Sequence, residues 1–302
     1  KILNDNPPAI VLNATGFSIC APGARRVKTP FDDSNCPILQ LVFSGGDESS
    51  WREGKQGLGP RDIAMNVALP EVDGRIFSRA VSFKGSKQRD LVTQIDIITY
   101  EPVADRIHFV CQLAFRWVCL RNKARDQRCV AIILANYPNK DGRIGNGVGL
   151  DTPAGTIVIL KALKKAGYTV KNLPDTGEKL IERLQAGPTN NYKKLRSRKI
   201  SELLIVDKYK EYFDLLPKSI QMEICERWGS PEEDPFYTLD HSGQGFFPIP
   251  AFLCGKLVLG LQPARGYNID ATSTYHDPDL VPPHNYFAFY FWLREVVKVD
   301  AI

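Results

Sequence analysis

"CVAIILANYPNKDGRIGNGVGLDTPAGTIVILKALKKAGY" runs from Cys129 to Tyr168. It holds a strand, a glycine-rich loop and a helix in succession, and its reading decides the fold. Val130 to Asn136 is an apolar run of strand length, rich in β-branched residues. Pro153 to Ala166 reads as a helix with clear punctuation. Asp151 or Thr152 can cap it, Pro153 suits its first turn, and Gly167 suits a left-handed stop. Between strand and helix the chain places four glycines in eight residues: Gly142, Gly145, Gly147 and Gly149.

Glycines ahead of a helix invite a nucleotide phosphate loop, and the spacing speaks against one. A Walker loop needs G-x-x-x-x-G-K-[ST] running straight into the helix, with its lysine on the phosphates. No Gly-Lys-Ser/Thr follows here, Lys140 lies before the glycines, and Asp151 stands where a phosphate wants positive charge. A dinucleotide fingerprint fails as well, because Gly145, Gly147 and Gly149 are spaced G-x-G-x-G and Pro153 follows only four residues later. A flexible surface turn and a ligand-facing loop are the readings left. The second would sit at the carboxyl end of a parallel-type strand, where α/β proteins place their sites. Glycines there let backbone approach a large flat ligand, while Asn136, Asn139, Asn146 and Arg143 supply hydrogen bonds and one charge.

Working outward, strand and helix alternate. Pro37 to Phe43 is an apolar strand ending in the turn "SGGDESSW". "RDIAMNVALPEV" is a short helix stopped by Pro70, and "RDLVTQIDIITYEP" alternates near its end like a strand. Ile107, Val110, Cys111, Ala114 and Val118 recur at helical spacing. The charged connector "RNKARDQR" then leads to Cys129. After the glycine loop, "GYTVKNLP" is a strand candidate, and helices are predicted at Gly177–Gln185, Ile200–Leu216 and Ser219–Trp228. "GKLVLGLQP" is another strand, and His284 to Lys298 is the last helix. The fold class is therefore α/β, with mainly parallel sheets flanked by helices. Two α/β lobes are expected, residues 1–122 and 123–302, the second incomplete because "VVKVDAI" reads as a strand just beginning. A chain opening at Lys1 without methionine suggests a piece of a longer polypeptide.

Composition narrows the function. The 43% hydrophobic and 24% charged content is globular, and a net charge of +5 fits an acidic small molecule or acidic partner better than nucleic acid. The seven cysteines are scattered without a C-x-x-C pair, so they read as buried, reduced thiols of a cytoplasmic protein. The longest apolar run, Phe287 to Leu293, is too short to span a bilayer.

A second constellation lies in "LQPARGYNIDATSTYHDPDLVPPHNYFAFYFWLRE", between a strand and a helix. It gathers Arg265, Tyr267, Asp270, His276, Asp277, Asp279 and His284, with two of the four histidines falling within nine residues. His276 with Asp277, and His284, offer imidazole and carboxylate to a divalent metal, or bases to a substrate. Against this, His284 merely starts a helix and His276 is solvated. The aromatic stripe from Tyr286 to Trp292 reads as core. The basic run "YKKLRSRKI" (Tyr192 to Ile200) is a solvated face or a contact for an acidic partner.

Taken together, "ILANYPNKDGRIGNGVGLDTPAG", "GLQPARGYNIDATSTYHDPDLVPPHNYFAFYFWLRE" and "RDIAMNVALPEVDGRI" resemble the cobaltochelatase large-subunit (CobN) family, which includes the porphyrin-binding subunit of magnesium chelatase. "GLDTPAG" and "YHDPDLVPPH" carry the cobalt-type wording. The resemblance implies a tetrapyrrole-binding large subunit that inserts Co2+, as substrate metal, into hydrogenobyrinic acid a,c-diamide in cobalamin biosynthesis. It places ATP and Mg2+ on separate AAA+ motor subunits, which accounts for the missing phosphate loop. Magnesium insertion into protoporphyrin, or tetrapyrrole binding without catalysis, are the alternatives. Family members are several times longer, and their His-Gly-x-x-Glu segment is absent here.

Metal insertion must remove two ring protons, desolvate the metal and hold a polycarboxylate macrocycle. The resemblance therefore casts His276 and His284 as proton acceptors or transient metal ligands, with Asp277 and Asp279 beside them. Arg143 and Arg265 would hold substrate carboxylates. Asn136, Asn146, Gly147 and Tyr267 would line the cleft.

Overall fold

The structure is a computed structural model that describes residues 5–21, 23–25, 27–54, 56–85, 88–136, 139–267 and 280–302. The chain divides into two compact units, Lys1–Asn122 and Lys123–Ile302.

In the first unit, β1 (Val11–Asn13), β2 (Ile38–Phe43) and β3 (Ile76–Lys84) lie parallel. After the small hairpin of β4 (Gln88–Arg89) and β5 (Asp96–Ile97), β6 (Tyr100–Pro102) joins β3 antiparallel. Central β2 buries Leu39, Gln40 and Val42 completely, the two-sided burial that a parallel strand requires. The helices are α1 (Glu48–Glu53), α2 (residues 60–72) and α3 (Ala104–Asn122). Pro70 does not stop α2. The helix widens to a π stretch over Ala64–Ala68, where the Leu69 N–H reaches the Ala64 carbonyl five residues back, and continues to Val72. That wider turn absorbs the hydrogen bond proline cannot make.

Along α3 only Val110 and Ala114 are buried, although Ile107, Cys111 and Val118 share their spacing. The cysteines correct the sequence reading too: all seven are free, but Cys111, Cys119 and Cys225 are exposed. Apolar spacing names a face; whether it is covered depends on what packs there.

The second unit is built on β7 (Val130–Leu134), the strand of the opening quotation. The glycine loop folds into a hairpin of β8 (Asn146–Gly147) and β9 (Leu150–Asp151), which leads into α4 (Thr152–Lys165). The Asp151 carboxylate caps α4 by accepting the Ala154 N–H, as its place before Pro153 predicts. There follow α5 (Gly177–Ala186), β10 (Leu203–Ile205), α6 (Val206–Phe213) and α7 (Lys218–Trp228). β11 (Thr238–Leu239), β12 (Gly245–Pro248), β13 (Ala251–Cys254) and β14 (Leu257–Leu261) precede α8 (His284–Phe291), which passes into a π turn over Trp292–Val297.

β14 runs parallel to β7 from Leu257↔Val130 to Leu261↔Leu134, and β13 flanks it antiparallel. Every residue of β14 is buried. α4 and α5 cover one side, with Ile157, Leu160, Leu180 and Leu184 meeting Leu134, Leu257, Leu259 and Leu261. On the other side, Tyr209 and Phe213 of α6 and Ala288 and Phe289 of α8 meet Ala131 and Val258. The aromatic stripe is thus core. Ala301 bridges Val130 in parallel, so "VVKVDAI" does begin a strand pairing.

The α/β expectation holds. One sheet in each unit has a parallel centre and an antiparallel edge, while β10, β12 and β11 form a purely antiparallel sheet. Two predicted elements differ. Residues 200–216 are not one helix, because Leu203–Ile205 pairs with β12 before α6 begins. "GYTVKNLP" forms no strand; it lies beside β13 through single bonds such as Lys171 N–H to the Cys254 carbonyl. Among the described residues no helix is long and apolar enough to cross a membrane.

Candidate functional site

The two motif loops leave the carboxyl ends of β7 and β14, which are neighbouring parallel strands. The Gln262 N–H donates to the Leu134 carbonyl at 2.9 Å, the last rung between them. On the β7 side, Gly145 N–H returns to the Ala135 carbonyl and Asn136 bridges Ile144, so the loop folds back on its own strand. Gly145 has φ +67° and Gly149 +75°, left-handed conformations that a side chain would strain. The glycines therefore build a hairpin.

That hairpin exposes Arg143 and Asn146, half-buries Gly147, and presents Val148 and Leu150 bare to solvent. Asn136, at its root, is only 4% exposed, yet among the described residues neither its amide nitrogen nor its oxygen has a hydrogen-bond partner. Leaving such groups buried and unmade costs about 1–3 kcal/mol each, so an orphaned carboxamide marks a place where something polar belongs.

The base of the hairpin is held by Asp141. Its carboxylate accepts from Arg198 Nη2 at 2.6 Å and Thr189 Oγ1 at 2.7 Å, and its carbonyl accepts from Gln185 Nε2 at 2.9 Å. Arg198 and Asp141 are 14% and 21% exposed in their side chains, so this ion pair is far better shielded than a surface bridge. The basic run Tyr192 to Ile200 is accordingly not a uniform solvated face. On the β14 side, the loop is tied by Asn190, which donates to the Gln262 carbonyl at 3.0 Å and accepts the Ala264 N–H at 2.9 Å. Tyr290 of α8 donates to Gln262 Oε1 at 2.7 Å.

Further along that loop, Arg265 Nη2 donates to the Leu280 carbonyl at 3.3 Å. Tyr267 donates to both Asp234 carboxylate oxygens, at 3.1 and 3.0 Å. Asp234 also accepts the N–H groups of Phe236 and Asn285, at 2.9 and 3.0 Å. Burial pushes the Asp234 carboxyl above its ordinary range, against the pull of those donors, and burial likewise raises the Tyr267 phenol.

His284 is fully buried at the start of α8. Its Nε2 lies 3.0 Å from the Gly229 carbonyl and its Nδ1 2.6 Å from the Tyr209 hydroxyl. A carbonyl only accepts, so Nε2 carries the proton and the Tyr209 O–H donates to Nδ1. Burial holds the imidazole below its ordinary pKa of 6.5 and raises the Tyr209 phenol. Both ring nitrogens are engaged, so a metal or substrate proton would have to displace one of these bonds. In this arrangement His284 ties α8 to α6 and to the Gly229 turn.

The other predicted bases, His276, Asp277 and Asp279, lie outside the described residues, as do Asn268 and Asp270. Among the described residues no group of three or more His, Cys, Asp or Glu is placed to hold a metal ion. The structure brings Asn136, Arg143, Asn146 and Gly147 together on one loop. It joins Tyr267 to the first turn of α8 through Asp234. Sequence reasoning missed Asp141, Thr189, Asn190, Tyr209 and Asp234. "GPTNN" carries turn punctuation, but nothing in one sequence shows which strand end it reaches.

Loops bearing ligand-type groups leave the carboxyl ends of adjacent parallel strands, the position where α/β proteins place their sites. The sequence profile described as CobN/Magnesium Chelatase matches residues 2–302, and the chain belongs to that family. It is 48% identical over 301 residues to the aerobic cobaltochelatase subunit CobN of Sinorhizobium sp., covering 100% of this chain and 23% of that protein. The catalytic subunit of cobaltochelatase from Mycobacterium tuberculosis superposes with a TM-score of 0.77 at 31% identity, over 97% of this chain and 25% of that one. The magnesium-chelatase subunit ChlH of Oryza sativa subsp. indica is 26% identical over 299 residues, 97% of this chain and 20% of that protein. The chain thus spans about a quarter or less of the length of these relatives.

Proposed function

We propose that this chain is the tetrapyrrole-binding part of an ATP-dependent cobaltochelatase, inserting Co2+ as substrate into a corrinoid of the hydrogenobyrinic acid a,c-diamide type. The observation that carries the reading is the 48% identity to a CobN subunit along the whole chain, against 26% to a magnesium-chelatase subunit. The geometry is compatible with it. A glycine hairpin lets a flat macrocycle lie close to backbone, and the exposed Val148 and Leu150 offer apolar contact on the loop that also carries Arg143.

In this reading Asn136, Arg143, Asn146 and Gly147 face the macrocycle from the hairpin, and Arg265 meets a carboxylate from the other loop. His276, Asp277 and Asp279 receive ring protons and touch the metal in transit. His284 and Tyr267 act as positioning residues, because their polar atoms are engaged inside the fold. ATP and Mg2+ belong to AAA+ motor partners. The test uses the full-length subunit with those partners and ATP. Co2+ should enter the corrinoid diamide and Mg2+ should not enter protoporphyrin; the reverse preference would move the protein to the magnesium branch.

A further inference from the structure

The sequence singles out two loops, and the fold joins them through a segment that the sequence left unread. Gly187 to Asn191, "GPTNN", runs irregularly between α5 and the short turn Tyr192–Ser197. Thr189 is 2% exposed and donates its hydroxyl to Asp141 Oδ1 at 2.7 Å, at the base of the glycine hairpin. The next residue faces the other loop. Asn190 spends both halves of its carboxamide on backbone there, donating to the Gln262 carbonyl and accepting the Ala264 N–H. Its two bonds bracket Pro263 and fix the path by which the chain leaves β14 toward Arg265.

We infer that Thr189 and Asn190 are positioning residues that together staple the glycine hairpin to the β14 loop and set the separation of the two walls of the tetrapyrrole cleft. Strand pairing ends at Gln262 N–H to the Leu134 carbonyl, and beyond it each loop follows its own turn. The two anchors sit on consecutive residues, whose Cα atoms a trans peptide holds about 3.8 Å apart. Asp141 is itself oriented by Arg198 and Gln185, so the hairpin end of the staple cannot swing freely. A cleft held at one width is preorganised. Loosening it costs binding first, because the walls must be ordered again around each macrocycle.

The inference rests on the chelatase reading, and the test separates the two. In the full-length subunit with its motor partners, Thr189→Val keeps the shape of Thr189 but removes its donor, and Asn190→Ala removes both backbone bonds. Each should raise KM for the corrinoid by roughly tenfold, the equivalent of one good hydrogen-bonded contact, while kcat stays within about twofold of wild type. Thr189→Ser, which keeps the hydroxyl, should restore KM. An unchanged KM in both variants, or an equal loss with Ser and Val, overturns the staple. Hydrogen exchange in the same proteins supplies a readout independent of turnover. Thr189→Val should speed exchange in residues 141–151, and Asn190→Ala should speed it at Ala264. Wild-type protection at both places overturns the inference even if activity falls. A wild-type subunit that binds no tetrapyrrole defeats the chelatase reading instead, and leaves exchange to decide the staple.

Discussion

Tyr209→Phe tests whether His284 holds the fold or does chemistry. The substitution removes one oxygen and little else. The ring at 209 keeps its place among Phe213, Phe247 and Phe291, with centroids at 5.7, 5.0 and 5.7 Å, so no large cavity opens. What disappears is the 2.6 Å donor to His284 Nδ1. That nitrogen is then a buried acceptor without a partner, while Nε2–H stays on the Gly229 carbonyl. The expected cost is about 1–3 kcal/mol, the penalty for an orphaned buried acceptor. Because this chain already divides into two compact units, a single melting point is a poor measure. Amide protection in α6 and α8 reads the local free energy directly, and it should fall roughly 5- to 150-fold. Protection within about twofold of wild type would refute the hydrogen-bond assignment. The same variant should leave the acid limb of the pH profile for cobalt insertion where it is. A displacement of about one pH unit would show that His284 takes protons from the substrate, and would sink its positioning role.

Two further outcomes are expected. Asn136→Leu replaces an unsatisfied buried carboxamide with an apolar side chain of similar volume, so it should leave local stability equal to wild type or raise it while weakening tetrapyrrole binding; unchanged affinity in a binding titration would remove Asn136 from the site. The pH response of α8 follows from the lowered pKa of His284. The unfolded chain binds a proton near the ordinary value of 6.5 and the folded chain only at lower pH, so stability is intact above 6.5 and lost as pH falls below it. The slope for one group is at most about 1.4 kcal/mol per pH unit. Asp234 has the opposite sign: its raised pKa makes the folded state bind the extra proton, so its contribution falls as pH rises from its ordinary 3.8 through the folded value. Because Asp234 works against this trend, the imidazole itself is the readout: followed by NMR from pH 7 to pH 5, His284 should titrate below 6.5, and a midpoint at or above 6.5 would show that burial does not hold it neutral.

The sequence by itself determined the local elements and where punctuation falls. Val130–Leu134 had to be a two-sided strand because it is an unbroken apolar run, and Asp151-Thr-Pro had to open a helix because it offers a capping carboxylate and a residue with no N–H to waste. The glycine loop could be denied to phosphate from spacing alone, and the aromatic stripe after His284 could be read as core. The same local information misjudged residues 200–216, where pairing of Leu203–Ile205 with β12 outweighs helical preference, and Pro70, where a π turn removes the conflict. Only the tertiary structure decided which polar groups face inward. His284 looked like a free base because imidazole chemistry is visible in sequence, but Tyr209, 75 residues away, takes its second nitrogen. Asp141 looked like one polar residue of a loop, until Arg198 and Thr189 closed on it from across the chain. Periodicity and caps are written in neighbouring residues; hydrogen-bond partners and burial are set by chain segments that meet only when the sheet and its helices have packed.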